Sequence, residues 1–283
     1  MTPASEAAEA ALAAYRGGEI SAEIALMRVV LAIGDAASVI GWLEAAGEAA
    51  LLRLARAHRG RLEGVTALVA AGLATERGGI AAIRAQFDAA VALAPEAAVA
   101  MYSLGSGDIL DRATAEIVAG LRQWRLLGAD IDALDIGCGI GRIERALAPE
   151  LRSITGTDVS PGMIAEAWTR CRGLGNVVFL CVDGGGLAAF AGRRFGLVLA
   201  VDAFPYLVAA GAGIAARHVA DAAGLLVPGG ALAIFNYSYC GDLDADRADI
   251  ADLATAHGFA VERNGTRDFA LWDGATFLLR RTE

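Results

Sequence analysis

The sequence predicts an α/β fold with a largely parallel sheet, preceded by an all-α region. Apolar segments of strand length recur between residues 133 and 235, and they alternate with acidic or glycine-containing turns and helix-type segments. This alternation is typical of a parallel sheet covered by helices. The first hundred residues are instead dominated by alanine, leucine, glutamate and arginine, which favour helix.

The first strand-like segment ends in an acid and runs into three alternating glycines, Gly137, Gly139 and Gly141. Glycine tolerates positive φ and lets the backbone approach a ligand closely. The helix that follows offers unpaired N–H groups and the positive end of its dipole. A dinucleotide-binding turn would carry Gly-x-Gly-x-x-Gly, but its third glycine is replaced here by Arg142.

A second short strand, residues 153–158, ends in Asp158. Ser160 is the expected N-cap of the next helix, and Pro161 is a favourable first helical residue. A carboxylate at the tip of this strand can accept hydrogen bonds from both ribose hydroxyls of a nucleoside. Dinucleotide-binding folds use the same arrangement, so Asp158 alone does not identify the ligand.

Three further segments continue the pattern. Residues 177–182 form a β-branched and aromatic strand that ends in Asp183 and Gly184, and residues 195–201 form an apolar strand that leads into a polar and aromatic loop. Residues 225–235 contain a helix end, a Pro-Gly-Gly turn and a fifth strand. Five such signals in this order are far more specific than one glycine motif.

The Asp-x-Gly-x-Gly-x-Gly motif from Asp135 to Gly141, with the four signals after it, resembles the class I S-adenosylmethionine-dependent methyltransferases of small molecules. The resemblance implies a Rossmann-like seven-stranded sheet with an antiparallel last strand. It also implies S-adenosyl-L-methionine as cofactor and S-adenosyl-L-homocysteine as product. The expected domains are a helical accessory, lid or dimerisation domain at residues 1–98 and a catalytic domain at residues 99–283.

The resemblance assigns roles to residues of the cofactor site. The glycines let the backbone pass beneath the methionine and ribose, and Asp135 orients the loop and the amino group. Asp158 holds the ribose, Asp183 holds the adenine amine, and a segment before the bridging helix covers the methionine end. The complete expected set is Tyr102, Asp135, Gly137, Cys138, Gly139, Gly141, Asp158, Val159, Met163, Asp183, Gly184 and Val201.

The acceptor is expected beyond the fourth strand, with Asp202, Tyr206 and Tyr237 as the catalytic candidates. Tyr237 and Tyr239 are two residues apart, so a strand would place both on one face, where they and Asn236 present polar groups to a small substrate.

The stretch from Asp202 to Tyr206 is faintly similar to the Asp/Asn-Pro-Pro-Tyr signature of enzymes that methylate planar nitrogen. Phe204 replaces one proline and a residue is inserted, so this stretch does not indicate a base methylase.

Composition limits the functional classes. The net charge of −9 argues against a nucleic-acid partner, and the 24 basic residues are all arginine, which excludes Schiff-base and P-loop lysines. The four cysteines and three histidines are scattered, so no metal site is expected. Without a secretory pattern or a convincing membrane span, a cytoplasmic protein is expected.

Two other functions stay open. One is an NAD-type dinucleotide-dependent oxidoreductase on a similar sheet, and the other is a non-catalytic cofactor-binding interaction module. Among methyltransferases, nitrogen, oxygen, carbon and sulfur acceptors are all served by this fold. The expected activity is transfer of a methyl group by in-line displacement to a nitrogen or oxygen of a small molecule, with the helical domain as a candidate homodimer surface.

Overall fold

The computed structural model describes residues 3–73, 78–211 and 213–282. The chain forms two compact units. The helical unit comprises Met1–Thr75, Ala89–Glu116 and Phe269–Asp273, and the sheet unit comprises Glu76–Asp88, Ile117–Asp268 and Gly274–Glu283. The expected boundary between residues 98 and 99 thus falls inside a segment of the helical unit.

The helices before the sheet were expected, because this region is rich in good helix formers. They are α1 (Pro3–Arg16), α2 (Ala22–Ile33), α3 (Ala36–Ala45), α4 (Ala49–Ala57), α5 (Arg59–Ala70), α6 (Ile80–Leu93), α7 (Pro95–Val99) and α8 (Gly107–Gln123). The α6 helix contributes residues to both units, since its first part, up to Asp88, belongs to the sheet unit.

Within the helical unit, the Phe269–Asp273 segment is fixed by polar contacts. Ser21 Oγ accepts a hydrogen bond from Ile24 N and caps α2, and it donates to Leu271 O at 2.7 Å. Glu116 Oε2 accepts hydrogen bonds from Ala270 N and Leu271 N at 3.1 and 3.0 Å. These bonds satisfy two backbone donors and one carbonyl acceptor of a segment that lies far along the chain from α2.

The sheet unit contains seven strands in the order β3-β2-β1-β4-β5-β7-β6. The strands are β1 (Gly128–Ile136), β2 (Leu151–Asp158), β3 (Val177–Cys181), β4 (Phe195–Val201), β5 (Leu226–Phe235), β6 (Phe259–Arg267) and β7 (Ala275–Arg281). The helices between them are α9 (Arg142–Leu147), α10 (Pro161–Arg170), α11 (Phe204–Ala210), α12 (Ile214–Leu225) and α13 (Leu243–His257).

The first five strands are parallel, whereas β7 pairs antiparallel with both β5 and β6. The seven-stranded sheet with a reversed last strand is therefore confirmed. The strand order reverses between β1 and β4, and ligands of open α/β sheets bind at the carboxyl ends of strands beside such a switch point. Asp135 is paired with Gly156 of β2 and Leu199 of β4, which places it at this point.

The central strands are buried because helices cover them. Leu134, Val198 and Ile234 are fully buried, as are Phe195 and Phe277 to within 1%. Near-continuous apolar runs are typical of strands covered on both faces. The interiors of these strands are apolar, so the polar side chains that can bind a ligand lie at the strand ends.

In the part of the chain that the structure describes, no single helix is long and apolar enough to cross a membrane. Helices α2 and α3 together have the length and apolar composition of a span, but they are bent by 113° at the break between them.

Candidate functional site

The turn between β1 and α9 is built from the three glycines, which have φ values of 75°, 52° and 77° at Gly137, Gly139 and Gly141. A Cβ at Gly137 would lie 2.5 Å from Cβ of Ala203, so no side chain fits there. Gly137 N and Cys138 N both donate hydrogen bonds to Thr157 O. The turn is therefore a tight backbone loop between the ends of β2 and β4.

Gly141 is required for packing. A Cβ there would lie 3.0–3.1 Å from side-chain atoms of Phe179, Ala167 and Cys171. The glycine thus lets the start of α9 lie against α10 and β3.

Asp158 lies against this turn. Its Oδ2 accepts a hydrogen bond from Gly139 N at 3.0 Å, and its Oδ1 accepts one from Ser160 N at 2.9 Å. Burial raises the pKa of Asp158 to about 6, although these backbone hydrogen bonds act in the opposite direction. Ser160 Oγ accepts a hydrogen bond from Met163 N, which confirms the predicted N-cap of α10.

Asp88 on α6 contacts the candidate site, and the sequence did not point to it. Its Oδ1 accepts hydrogen bonds from Ser160 Oγ at 2.6 Å and from Gly162 N at 3.0 Å. It therefore fixes the segment directly after Asp158. No motif pointed to Asp88, because it lies 70 positions before Asp158 in a helix with an unremarkable composition.

We expect Asp88→Ala to lower the free energy of unfolding by about 1–2 kcal/mol, because two donors at the start of α10 lose their acceptor. Urea unfolding checks the value. Asp252→Ala, at an exposed position of α13, is the matched control and should change stability by less than about 0.5 kcal/mol. Equal stability of both variants would contradict the assigned role of Asp88.

In the cofactor site expected from the sequence, the residues near the adenine are Asp183, Gly184 and Val159. Asp183 is exposed, and its Oδ1 accepts a hydrogen bond from Gly185 N at 2.9 Å. Gly184 has φ 78°, and a Cβ there would lie 2.7 Å from Val159 Cγ1 and 3.0 Å from Ile80 Cγ2. The start of α6 therefore lies beside these residues.

The remaining cofactor candidates differ in burial. Met163 on α10 is 1% exposed, and Val201 at the end of β4 is half-buried. Cys138 is 5% exposed, and burial raises the pKa of its thiol well above the ordinary value. Its thiol is thus a neutral packing group. Tyr102 lies in the helical unit, where it is 3% exposed and stacks on Trp272 with ring centroids 6.1 Å apart.

Asp202 follows β4 and Asn236 follows β5, and both have left-handed backbone conformations with φ values of 57° and 65°. Asn236 Nδ2 and Tyr239 OH donate hydrogen bonds to Asp202 Oδ1 at 2.6 and 2.8 Å. Asn236 is itself held by Ala275, whose N–H donates to Asn236 Oδ1. The carboxylate is thus oriented from two sides.

Aromatic rings lie beside this carboxylate. Tyr206 contacts Phe87 edge-on at 4.9 Å between ring centroids and Tyr239 at 6.2 Å. Together with Ile80 and Asp88, Phe87 is one of three α6 residues that lie beside the loops at the carboxyl ends of the strands. Asp202 and Tyr206 are therefore brought together with groups that can surround a small molecule.

The prediction that Tyr237 and Tyr239 share one face was wrong. Tyr237 is 6% exposed and packs between Phe204 and Phe277, whereas Tyr239 is 46% exposed. Strand alternation ends because Asn236 adopts φ 65° directly after β5. Burial raises the pKa of Tyr237 to about 12, which disfavours proton transfer by its hydroxyl.

The β1 strand and the α9 helix bring three ionisable side chains into the interior. Asp135 is 1% exposed, Glu144 is fully buried and Arg142 is 6% exposed. Burial raises the pKa of Asp135 to about 7 and raises that of Glu144 well above its ordinary value. The acid expected to orient the glycine loop therefore has a carboxyl neighbour that the motif did not reveal.

Comparison with known proteins gives a consistent picture. Residues 133–230 match the family model described as "Methyltransferase domain". The demethylmenaquinone methyltransferase of Tropheryma whipplei (strain Twist) is 30% identical over 117 residues, which are 41% of this chain. The match spans 46% of that protein, so the chain covers about half the length of this relative.

A solved structure shares the fold. Phosphoethanolamine N-methyltransferase 1 of Haemonchus contortus, in complex with phosphoethanolamine and S-adenosylhomocysteine, aligns with a TM-score of 0.57 at 14% identity, over 72% of this chain and 49% of that one. Magnesium protoporphyrin IX methyltransferase of Synechocystis PCC 6803 with bound SAM aligns with a TM-score of 0.47 at 21% identity, over 62% of this chain and 80% of that one.

Proposed function

We propose that the protein transfers a methyl group from S-adenosyl-L-methionine to a nitrogen or oxygen of a small molecule, because residues 133–230 match the family model for a methyltransferase domain and the seven-stranded sheet has a reversed last strand. The observation that carries the proposal is the Asp158 carboxylate, held against the positive-φ glycine turn by Gly139 N. The Asp158 carboxylate can accept hydrogen bonds from a nucleoside, and the glycine turn beside it lets the backbone approach the charged tail of the ligand closely.

The residues present fit this cofactor. Asp158 would accept hydrogen bonds from the ribose hydroxyls, and Asp183 would accept one from the adenine amine. The absence of side chains at Gly137 and Gly184 leaves room that a Cβ would fill. When bound, the cofactor supplies a methyl group made electrophilic by the positive sulfur, and the protein holds donor and acceptor in line.

The acceptor is proposed to lie at Asp202, Tyr206 and Tyr239. The Asp202 carboxylate is oriented by Asn236 and Tyr239, so it can accept a proton or a hydrogen bond from the N–H or O–H that attacks. The rings of Phe87 and Tyr206 provide apolar surface beside it. This proposal keeps Asp202 and Tyr206 as catalytic candidates, while the burial of Tyr237 supports a packing role.

We expect Asp202→Asn to lower kcat by about 100-fold or more, with little change in the Kd of S-adenosylhomocysteine, because the amide cannot accept a proton. The assay follows labelled methyl transfer to a panel of small amines, phenols and carboxylic acids. Asp252→Asn is the surface control. Cofactor binding without transfer to any acceptor would instead favour the non-catalytic module.

The helical unit is proposed to act as an accessory domain that forms a lid or a homodimer surface. A monomeric mass in sedimentation experiments at micromolar concentration would remove the dimer from this proposal.

A further inference from the structure

Two carboxyl groups meet beneath the glycine turn. Asp135 stands next to last in β1, and Glu144 is the third residue of α9. Their exposures are 1% and 0%, Glu144 Oε1 lies against Gly156, the strand partner of Asp135, and each acid acts on the pKa of the other. A buried acid is costly unless it is neutral or paired, so this contact requires a physical explanation.

The contact requires a proton. Among the residues that the structure describes, Asp135 Oδ1 and both Glu144 oxygens receive no hydrogen bond from an N–H or hydroxyl donor. Two ionised carboxylates contain no donor and repel each other, whereas a carboxyl and a carboxylate share one hydrogen bond. The pair therefore carries one proton between its two members.

The fold makes space for this pair. Gly156 on β2 is paired with Asp135, and a Cβ at Gly156 would overlap Glu144 Oε1 and crowd Phe179. Gly156 does not have a positive φ, so its backbone conformation would accept other residues. Glycine is required there because a Cβ would not fit. The Glu144 carboxyl thus occupies a gap left in the sheet.

The charged and titratable groups around the pair come from each neighbouring element. Arg142 on α9 acts to lower the pKa of both acids, and Asp158 on β2 acts to raise that of Asp135. Burial, and after it the charge of Glu144, raises the pKa of the Cys138 and Cys171 thiols. Asp88 on α6 adds negative charge next to Asp158.

We propose that Glu144 is a positioning residue, which shares one proton with Asp135 and holds its carboxyl beneath the glycine turn until the cofactor's ammonium group takes over that contact. The inference rests on the proposed function, since it places the ammonium at Asp135. Arrival of this positive charge favours two carboxylates, so the shared proton leaves to solvent on binding. S-Adenosylhomocysteine carries the same ammonium group and should release the proton as well.

Calorimetry tests the release. Binding of S-adenosylhomocysteine is measured at about pH 7 in phosphate and in Tris, because the difference between the two enthalpies counts the protons exchanged. The wild type should release up to one proton per binding site, because the pair holds one shared proton before the ligand binds. Glu144→Gln should release fewer protons, because its amide N–H replaces the shared proton as the donor to Asp135. Equal release by both proteins would overturn the proposal.

Unfolding of the protein without ligand provides a second readout. An acid with a raised pKa keeps its proton in the folded state after the unfolded chain has lost it, so stability falls as pH rises from about 4 towards 7. The folding equilibrium constant of the wild type, relative to Glu144→Gln, should fall by up to about tenfold per pH unit in this window.

The control is Glu63→Gln, the same chemical change at an exposed position, which should unfold in parallel with the wild type. If the free energies of unfolding of the wild type and Glu144→Gln change with pH in parallel, the pair does not share a proton, whether or not the ligand binds. A missing ligand response combined with divergent profiles would instead reject the proposed function and keep the proton pair.

Discussion

Replacement of Asp158 by asparagine is expected to weaken S-adenosylhomocysteine binding by at least about 100-fold, because two hydrogen bonds to a carboxylate are each worth about 1.5–3 kcal/mol. The Asp158 oxygens are fixed by hydrogen bonds from Gly139 N and Ser160 N, so the carboxylate is pre-oriented for the proposed ribose contact. Isothermal titration measures the affinity, and Asp252→Asn serves as the surface control.

The wild type should show a pH signature that the Asp158→Asn variant lacks. Ribose hydroxyls donate to the ionised carboxylate, and the pKa of Asp158 is about 6. Affinity should therefore fall as pH decreases through about 6 and approach a constant value above it. A variant that binds as tightly as the wild type, with the same pH profile, would remove Asp158 from the ribose site.

Gly137→Ala is expected to abolish cofactor binding and to lower the free energy of unfolding by about 2–4 kcal/mol, because left-handed strain adds to overpacking. The residue has φ 75°, and its Cβ would lie 2.5 Å from that of Ala203. Gly173→Ala is the matched control, since Gly173 has φ 90° and nothing within 4 Å of the added Cβ. Chemical denaturation compares the variants.

The two causes can be separated by a second change. Combining Gly137→Ala with Ala203→Gly removes the methyl group that the new Cβ meets but keeps the backbone strain. The double variant should recover part of the lost stability and approach Gly173→Ala. If Gly137→Ala is no less stable than Gly173→Ala, the close approach of the glycine turn to the β4 loop is incorrect.

The sheet and the glycine turn could be predicted because their signals are local. Each strand is a short apolar run, and Asp135, Asp158 and Asp183 follow from their positions at strand ends. Ser160 and Pro161 also identify a helix start within a few residues. These features need no knowledge of how distant segments pack.

The missed residues depend on packing between distant segments. Asp88 contacts Ser160 across 72 positions, and Glu144 meets Asp135 only because Gly156 leaves a gap in the neighbouring strand. The Tyr237 prediction was based on alternation, which the left-handed backbone of Asn236 interrupts. A single residue outside the strand conformation was enough to move that side chain into the core.

The sequence already disfavoured the dinucleotide alternative, because Arg142 stands where a third glycine would be needed. In the structure Arg142 is 6% exposed and interacts electrostatically with the buried acids Asp135 and Glu144. A glycine there would leave that acidic pair without its nearby positive charge. The difference in sequence therefore has a structural role beneath the turn.

The most direct test is calorimetric titration of the wild-type protein with S-adenosylmethionine, S-adenosylhomocysteine and NAD, each under the same conditions. We predict one binding site for the two sulfur ligands, with Kd values in the micromolar range, and no heat of binding for NAD. Binding of NAD without binding of either sulfur ligand would contradict the methyltransferase assignment and point to hydride transfer.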